Sequence, residues 1–128
     1  MVDSNHNTLD VYVVDDHVSV LRSTSCLLDS AGWKVEVFTD PNEFLERAAS
    51  RRPDVAVIDI LMPKMNGLEV QTQLRQVSPS TRVIVLTSKD DPATRSKAME
   101  AGASAFFVKG VDKKEFLAGI KAAADSAQ

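Results

Sequence analysis

Five short runs rich in β-branched residues, each followed by a longer stretch with helical spacing, constrain this chain more than any other feature. The runs are DVYVV (residues 10–14), KVEVF (34–38), DVAVI (54–58), RVIVL (82–86) and AFFV (105–108). Helical patterns near 17–30, 41–50, 66–77, 92–101 and 112–124 lie between and after them. Such alternation, with connections long enough for crossover helices, predicts an α/β fold with a parallel sheet between two helical layers. The first, third and fourth runs are almost wholly apolar, as strands buried on both faces should be. The second alternates Lys34 and Glu36 with Val35 and Val37 and reads as an edge strand.

Helix punctuation falls where this scheme needs it. Gly32 and Gly102 close the first and fourth helices. Asp40-Pro41 and Asp91-Pro92 each place a capping aspartate before a proline in the first turn, and Asp112 caps the last helix. With 128 residues, 44% of them hydrophobic, the chain suits one domain with a normal core. We expect a leader over residues 1–9, the domain over 10–125 and a tail or linker start over 126–128.

A formal charge of −3 argues against a nucleic-acid surface. The charge is uneven: residues 1–64 carry 11 acidic and 6 basic groups, residues 65–128 carry 7 and 9. A lone cysteine, Cys26, suits a reducing compartment and reads as a small core residue on its helix. No run has the length of a membrane span, and the N-terminus lacks signal-peptide features, so a cytoplasmic location with no membrane contact is expected.

The chemistry lies just past the strands. VYVV is followed by Asp15-Asp16, VAVI by Asp59, VIVL by Thr87-Ser88 and AFFV by Lys109. In a parallel α/β sheet these positions emerge at one carboxyl edge, where ligands bind. Taken singly, each has an ordinary use: Asp16 as a helix cap, Thr87 as a strand former, Lys109 as a surface charge. Together they offer three carboxylates, hydroxyls and an ammonium. Three oxygen anions suit Mg²⁺, whereas no His or Cys set is available for zinc; His17, at a helix start, has no second imidazole beside it. Two carboxylates can hold the metal while Asp59 attacks a phosphoryl group, whose charge the metal, Lys109 and Thr87 would meet.

In VVDDH, VAVIDILMPKMNGLE, VIVLTS and MEAGASAFFVKG, in this order and spacing, the chain resembles the receiver domains of two-component response regulators over about residues 11–124. The resemblance implies a flavodoxin-like, doubly wound five-stranded sheet of order 2-1-3-4-5. It implies that Asp59 accepts phosphoryl from a sensor histidine kinase or phosphotransfer protein, without turnover catalysis. It further implies a Mg²⁺ site formed by Asp15, Asp16, Asp59 and the backbone carbonyl of Leu61, with Thr87 and Lys109 on the phosphoryl group. Phe106 falls at the switch-aromatic position, next to a possible homodimer face made by the fourth helix, fifth strand and fifth helix. Phe107 reads as core. VDDH and AGWKVEVFTDPNEFLE are most similar to receivers with a helix-turn-helix output, so this domain could precede a DNA-binding module.

Two departures stand out. Gly110 replaces the proline common after the lysine, and a cis peptide there would cost about 2.5–4 kcal/mol, so a trans Lys109–Gly110 bond is expected. Phe106 also lacks a tyrosine hydroxyl. Leu61 and Lys89 flank the pocket, where they would influence loss of the phosphoryl group. Among alternatives, a haloacid-dehalogenase-type phosphatase needs an acid two residues past its nucleophile, and position 61 is Leu. A flavin or nucleotide binder needs a glycine-rich loop after the first strand, which is lacking. A pseudo-receiver acting only as an interaction module stays open.

Overall fold

The computed structural model describes residues 8–126. Strands β1 (Asp10–Val14), β2 (Lys34–Phe38), β3 (Val55–Ile58), β4 (Arg82–Thr87) and β5 (Ala105–Val108) alternate with α1 (Val18–Ser30), α2 (Pro41–Arg51), α3 (Gly67–Val77), α4 (Pro92–Glu100) and α5 (Lys113–Asp125). All strand pairs are parallel, in the order β2-β1-β3-β4-β5. The chain is therefore a doubly wound α/β domain of flavodoxin-like order, with β2 at an edge as its alternation predicts.

The period of two along each strand divides the core. Tyr12, Val14, Ile58, Val83, Val85 and Phe106 share one cluster with Phe44, Val70 and Leu74 of α2 and α3. Val11, Val13, Val55, Val57, Ile84 and Leu86 share the other with Leu21 and Leu28 of α1 and Phe116 and Ile120 of α5. Each of these four helices thus buries one apolar stripe against the sheet and leaves the rest to solvent, whereas α4 adds only Ala98 to the core. Val37 departs from the expected inward pattern and is 41% exposed, on a strand with a neighbour on one side only.

The helix ends follow the sequence signals. Asp40, Asp91 and Asp112 accept hydrogen bonds from backbone amides in the first turns of α2, α4 and α5. Gly32 and Gly102 take φ of +84° and +104° just past α1 and α4, where a side chain would be strained. Asp16 does not cap α1; His17 occupies that position and offers no side-chain cap.

Cys26 is a correction: it is exposed. α1 buries Leu21, Thr24 and Leu28, and at about 100° per residue position 26 points about 140–160° away from all three. Leu9, assigned to the leader, packs against the second cluster, and its carbonyl accepts from Lys34 N at 2.8 Å. Residues 1–7 of the expected leader and 127–128 of the tail lie outside the described residues. Among the described residues no helix is long and apolar enough to cross a membrane.

Candidate functional site

Backbone hydrogen bonds that continue the sheet past its strands set the site residues in place. Asp15 N–H donates to Phe38 O at 3.1 Å, Asp59 N–H to Val14 O at 3.2 Å, and Lys109 N–H to Thr87 O at 2.8 Å. The side chains of Asp15, Asp59 and Lys109 therefore project from the carboxyl ends of β1, β3 and β5 into one crevice. Asp15, Asp59 and Thr87 are buried.

Lys109 Nζ lies between two carboxylates, 2.9 Å from Asp15 Oδ2 and 3.3 Å from Asp59 Oδ2. It is no solvated surface charge. The other oxygen of Asp59, Oδ1, accepts from Leu61 N–H at 3.2 Å. Asp15 Oδ1 accepts from the His17 backbone N–H at 2.9 Å and lies 3.1 Å from His17 Nδ1. Thr87 Oγ1 accepts from Lys89 N–H at 3.3 Å, which leaves its own proton to donate toward Asp59.

Burial raises the Asp59 carboxyl above the ordinary aspartate range, and the Asp15 charge adds to the effect; Lys109, the Thr87 hydroxyl and the Leu61 N–H oppose it. For Lys109, burial alone would lower the ammonium pKa. The hydrogen bond to Asp15 and the charges of Asp59 and Asp15 outweigh it, and the net shift is upward.

The Asp59 shift has a definite sign. The folded state holds this proton more tightly than the unfolded chain, so its contribution to stability is greatest below the ordinary carboxyl pKa. That contribution declines as pH rises from the ordinary value through the raised one. In metal-free protein, chemical denaturation of wild type and Asp59→Asn at stepped pH should show a stability gap that widens in favour of the variant across this window. A gap independent of pH would contradict the shift.

Three carboxylates face one ammonium, so the crevice carries excess negative charge. Asp16 makes the imbalance specific: its Oδ1 is buried and has no hydrogen-bond donor. Such an atom is costly without a positive partner. Asp15, Asp16, His17 and Asp59 each present a ligand atom, all within 4.8 Å of one another. This donor set fits a divalent cation. The Leu61 side chain is 42% exposed at the rim, while its backbone stays tied to Asp59.

Phe106 is buried in β5, three residues before Lys109. The Arg95 guanidinium lies 5.2 Å from its ring centroid, and Arg95 Nη2 donates to its carbonyl at 3.3 Å. Phe107 points to the other face and packs edge-on against Phe116 at 5.6 Å. The Lys109–Gly110 peptide is trans, and Gly110 has φ +100°.

Sequence reasoning assigned no role to Gly67, the first residue of α3. A Cβ there would come within 2.6 Å of Ile60 Cα and 2.9 Å of the Asp59 carbonyl carbon. The available signal was a glycine at a helix start within DILMPKMNG, where no left-handed turn called for one. From the sequence His17 is discounted as a ligand because no second imidazole lies beside it; the structure places its ring against the carboxylates of Asp15 and Asp16, a contact that depends on the local chain path.

The family model described as the response regulator receiver domain matches residues 11–121. A response regulator, MprA, from Mycolicibacterium vanbaalenii is 38% identical over 112 residues, covering 88% of this chain and 48% of that protein. The chain spans about half the length of the curated relatives it matches. Among solved structures, a CheY-like response regulator receiver domain protein from Methanospirillum hungatei JF-1 superposes with TM-score 0.88 at 27% identity, covering 94% of this chain and 96% of that one. A two-component response regulator of the LuxR family from Aurantimonas sp. SI85-9A1 superposes with TM-score 0.86 at 29% identity, covering 93% and 86%.

Proposed function

The chain belongs to the response regulator receiver domain family, and on that premise we propose that Asp59 accepts a phosphoryl group from a histidine kinase or phosphotransfer protein. The observation that carries this reading is the setting of Asp59: a buried carboxylate held by Lys109 Nζ at 3.3 Å, beside the buried, unpartnered Asp16 Oδ1. In the transfer, an Asp59 carboxylate oxygen bonds to phosphorus as the bond from phosphorus to the donor nitrogen breaks, and that electron pair leaves with the imidazole. Lys109 pairs with the incoming phosphoryl oxygens, and the Thr87 hydroxyl turns toward them. Asp15, Asp16, Asp59 and the Leu61 carbonyl would hold Mg²⁺, which supplies charge neutralisation for the transferring group.

Movement of Thr87 toward the phosphoryl group makes room beside β4 into which the already buried Phe106 ring can shift, which would disturb its contact with Arg95 of α4 and so alter the surface formed by α4, β5 and α5. Through that surface the domain pairs with a second copy or signals to an output partner, as a free relay or as part of a longer regulator. Sedimentation of phosphorylated against free protein checks the pairing, and an unchanged mass excludes it.

Incubation with acetyl phosphate and Mg²⁺ is expected to add one phosphoryl group by intact mass. Borohydride reduction, which converts an acyl phosphate to an alcohol, should mark residue 59 in peptide maps. Labelling that persists in a chelator, or maps elsewhere, overturns the assignment. A protein that binds Mg²⁺ but takes no phosphoryl group from any donor is a pseudo-receiver. Asp16→Asn is expected to weaken Mg²⁺ binding by about tenfold or more. Lys109→Ala should keep or tighten it, because the ammonium and the cation share the same anions. Calorimetric titration reads both, and equal losses would contradict the separate roles.

A further inference from the structure

His17 stands at the mouth of the acidic crevice, yet the reading above gives it no task. Its ring is 57% exposed, and Nδ1 lies 3.1 Å from Asp15 Oδ1 and 3.3 Å from Asp16 Oδ1. The second of these contacts lacks hydrogen-bond geometry and leaves Asp16 Oδ1 without a donor. Metal–ligand bonds of about 2.0–2.2 Å place adjacent ligand atoms roughly 3.0–3.5 Å apart, in octahedral or tetrahedral arrangement. The separations from Nδ1 to the two carboxylates fall in that range. Lys109 takes the opposite oxygens, Asp15 Oδ2 and Asp59 Oδ2, so it does not compete for this edge.

We propose that His17 Nδ1 is a further ligand of the divalent-cation site. It turns an all-oxygen pocket into a mixed nitrogen–oxygen one that prefers borderline first-row ions such as Co²⁺ and Ni²⁺ over Mg²⁺. This rests on the metal reading of the pocket and adds a selectivity to it. Mg²⁺ is hard and gains little from imidazole, whereas imidazole raises affinity along the first row from Mn²⁺ to Ni²⁺. Neutral His17 would give its Nδ1 lone pair to the ion and keep its proton on Nε2, toward solvent. The carboxylates still suffice for Mg²⁺, so the same site holds either class of ion at different strength.

The test uses the full chain as wild type, His17→Ala and His17→Gln, each titrated calorimetrically with Mg²⁺ and Ni²⁺. Pulsed EPR of the Mn²⁺-loaded protein, made with ¹⁵N-histidine, reports directly bound nitrogen. The substitution site is exposed, and circular dichroism verifies the fold. Expected results are a histidine nitrogen coupling in wild type, its loss in both variants, and a Ni²⁺ affinity lower by about tenfold or more. Mg²⁺ affinity should stay within about threefold of wild type. Absence of the coupling, its survival in His17→Ala, or equal weakening of Mg²⁺ and Ni²⁺ overturns the proposal. Wild type that binds neither ion overturns the metal reading of the whole crevice, and the role of His17 with it.

Discussion

Asp59→Asn is expected to abolish phosphoryl acceptance and at the same time to make the metal-free protein more stable. The first effect is complete because the amide is not a nucleophile toward phosphorus, and no other carboxylate sits where Asp59 does. The second follows from the forces already acting on the carboxyl group. Burial and the neighbouring Asp15 charge disfavour its ionised form more than Lys109, Thr87 and the Leu61 amide favour it. An amide of the same shape removes the anion and leaves Lys109 its 2.9 Å contact with Asp15. A gain on the order of 1 kcal/mol is expected at neutral pH, read as a rise of roughly 3–5 °C in Tm. Excess Mg²⁺ should shrink the gap by stabilising wild type preferentially. A variant less stable than wild type in chelator would show that Asp59 is held by net attraction, contrary to the direction of its shift.

Gly67→Ala carries the next largest expectation, and it reverses the usual rule. Within an exposed helix, alanine in place of glycine gains about 1 kcal/mol. Here the new Cβ would overlap the backbone of Ile60 and Asp59, with no flexible side chain able to yield. A loss of about 2–3 kcal/mol is expected from overpacking. The displaced segment also bears Asp59, the proposed acceptor, and a misplacement of about 1 Å can cost on the order of 10²-fold in rate. The variant should thus take phosphoryl from acetyl phosphate at least tenfold more slowly, by that same reasoning, even under conditions where it is fully folded. Gly32→Ala is the control. Open space surrounds Gly32, but its φ is +84°, so alanine there costs about 1 kcal/mol of strain without touching the acceptor rate. If Gly67→Ala proves neutral, the helix does not press on the acceptor segment as described.

How far the sequence alone reaches can be judged from these same residues. Strands and helices were legible because their apolar periods differ, and aspartate caps and closing glycines marked their ends within about a residue. The gathering of Asp15, Asp16, Asp59, Thr87 and Lys109 was legible too, since a parallel sheet delivers every strand end to one edge. Cys26 was misread because a helix containing Leu21, Leu27 and Leu28 suggests a broader buried face than α1 has. The close approach of Gly67 to Asp59 and the contact of His17 with both carboxylates lie a step further off. Both depend on loop paths of a few residues, which no periodicity encodes. The same holds for Arg95, whose guanidinium covers Phe106 from an adjoining helix.

Thr87 and Lys109 are joined through the main chain as well as sharing a pocket, because the amide of one donates to the carbonyl of the other at 2.8 Å. The hydroxyl arm and the ammonium arm are therefore mounted on a common rung. The bond crosses from one strand end to the other, so neither residue's backbone can shift far without straining it. If a phosphoryl group draws on both residues as proposed, this rung would couple the two strand ends, so that damage to either residue is expected to blunt the answer of both.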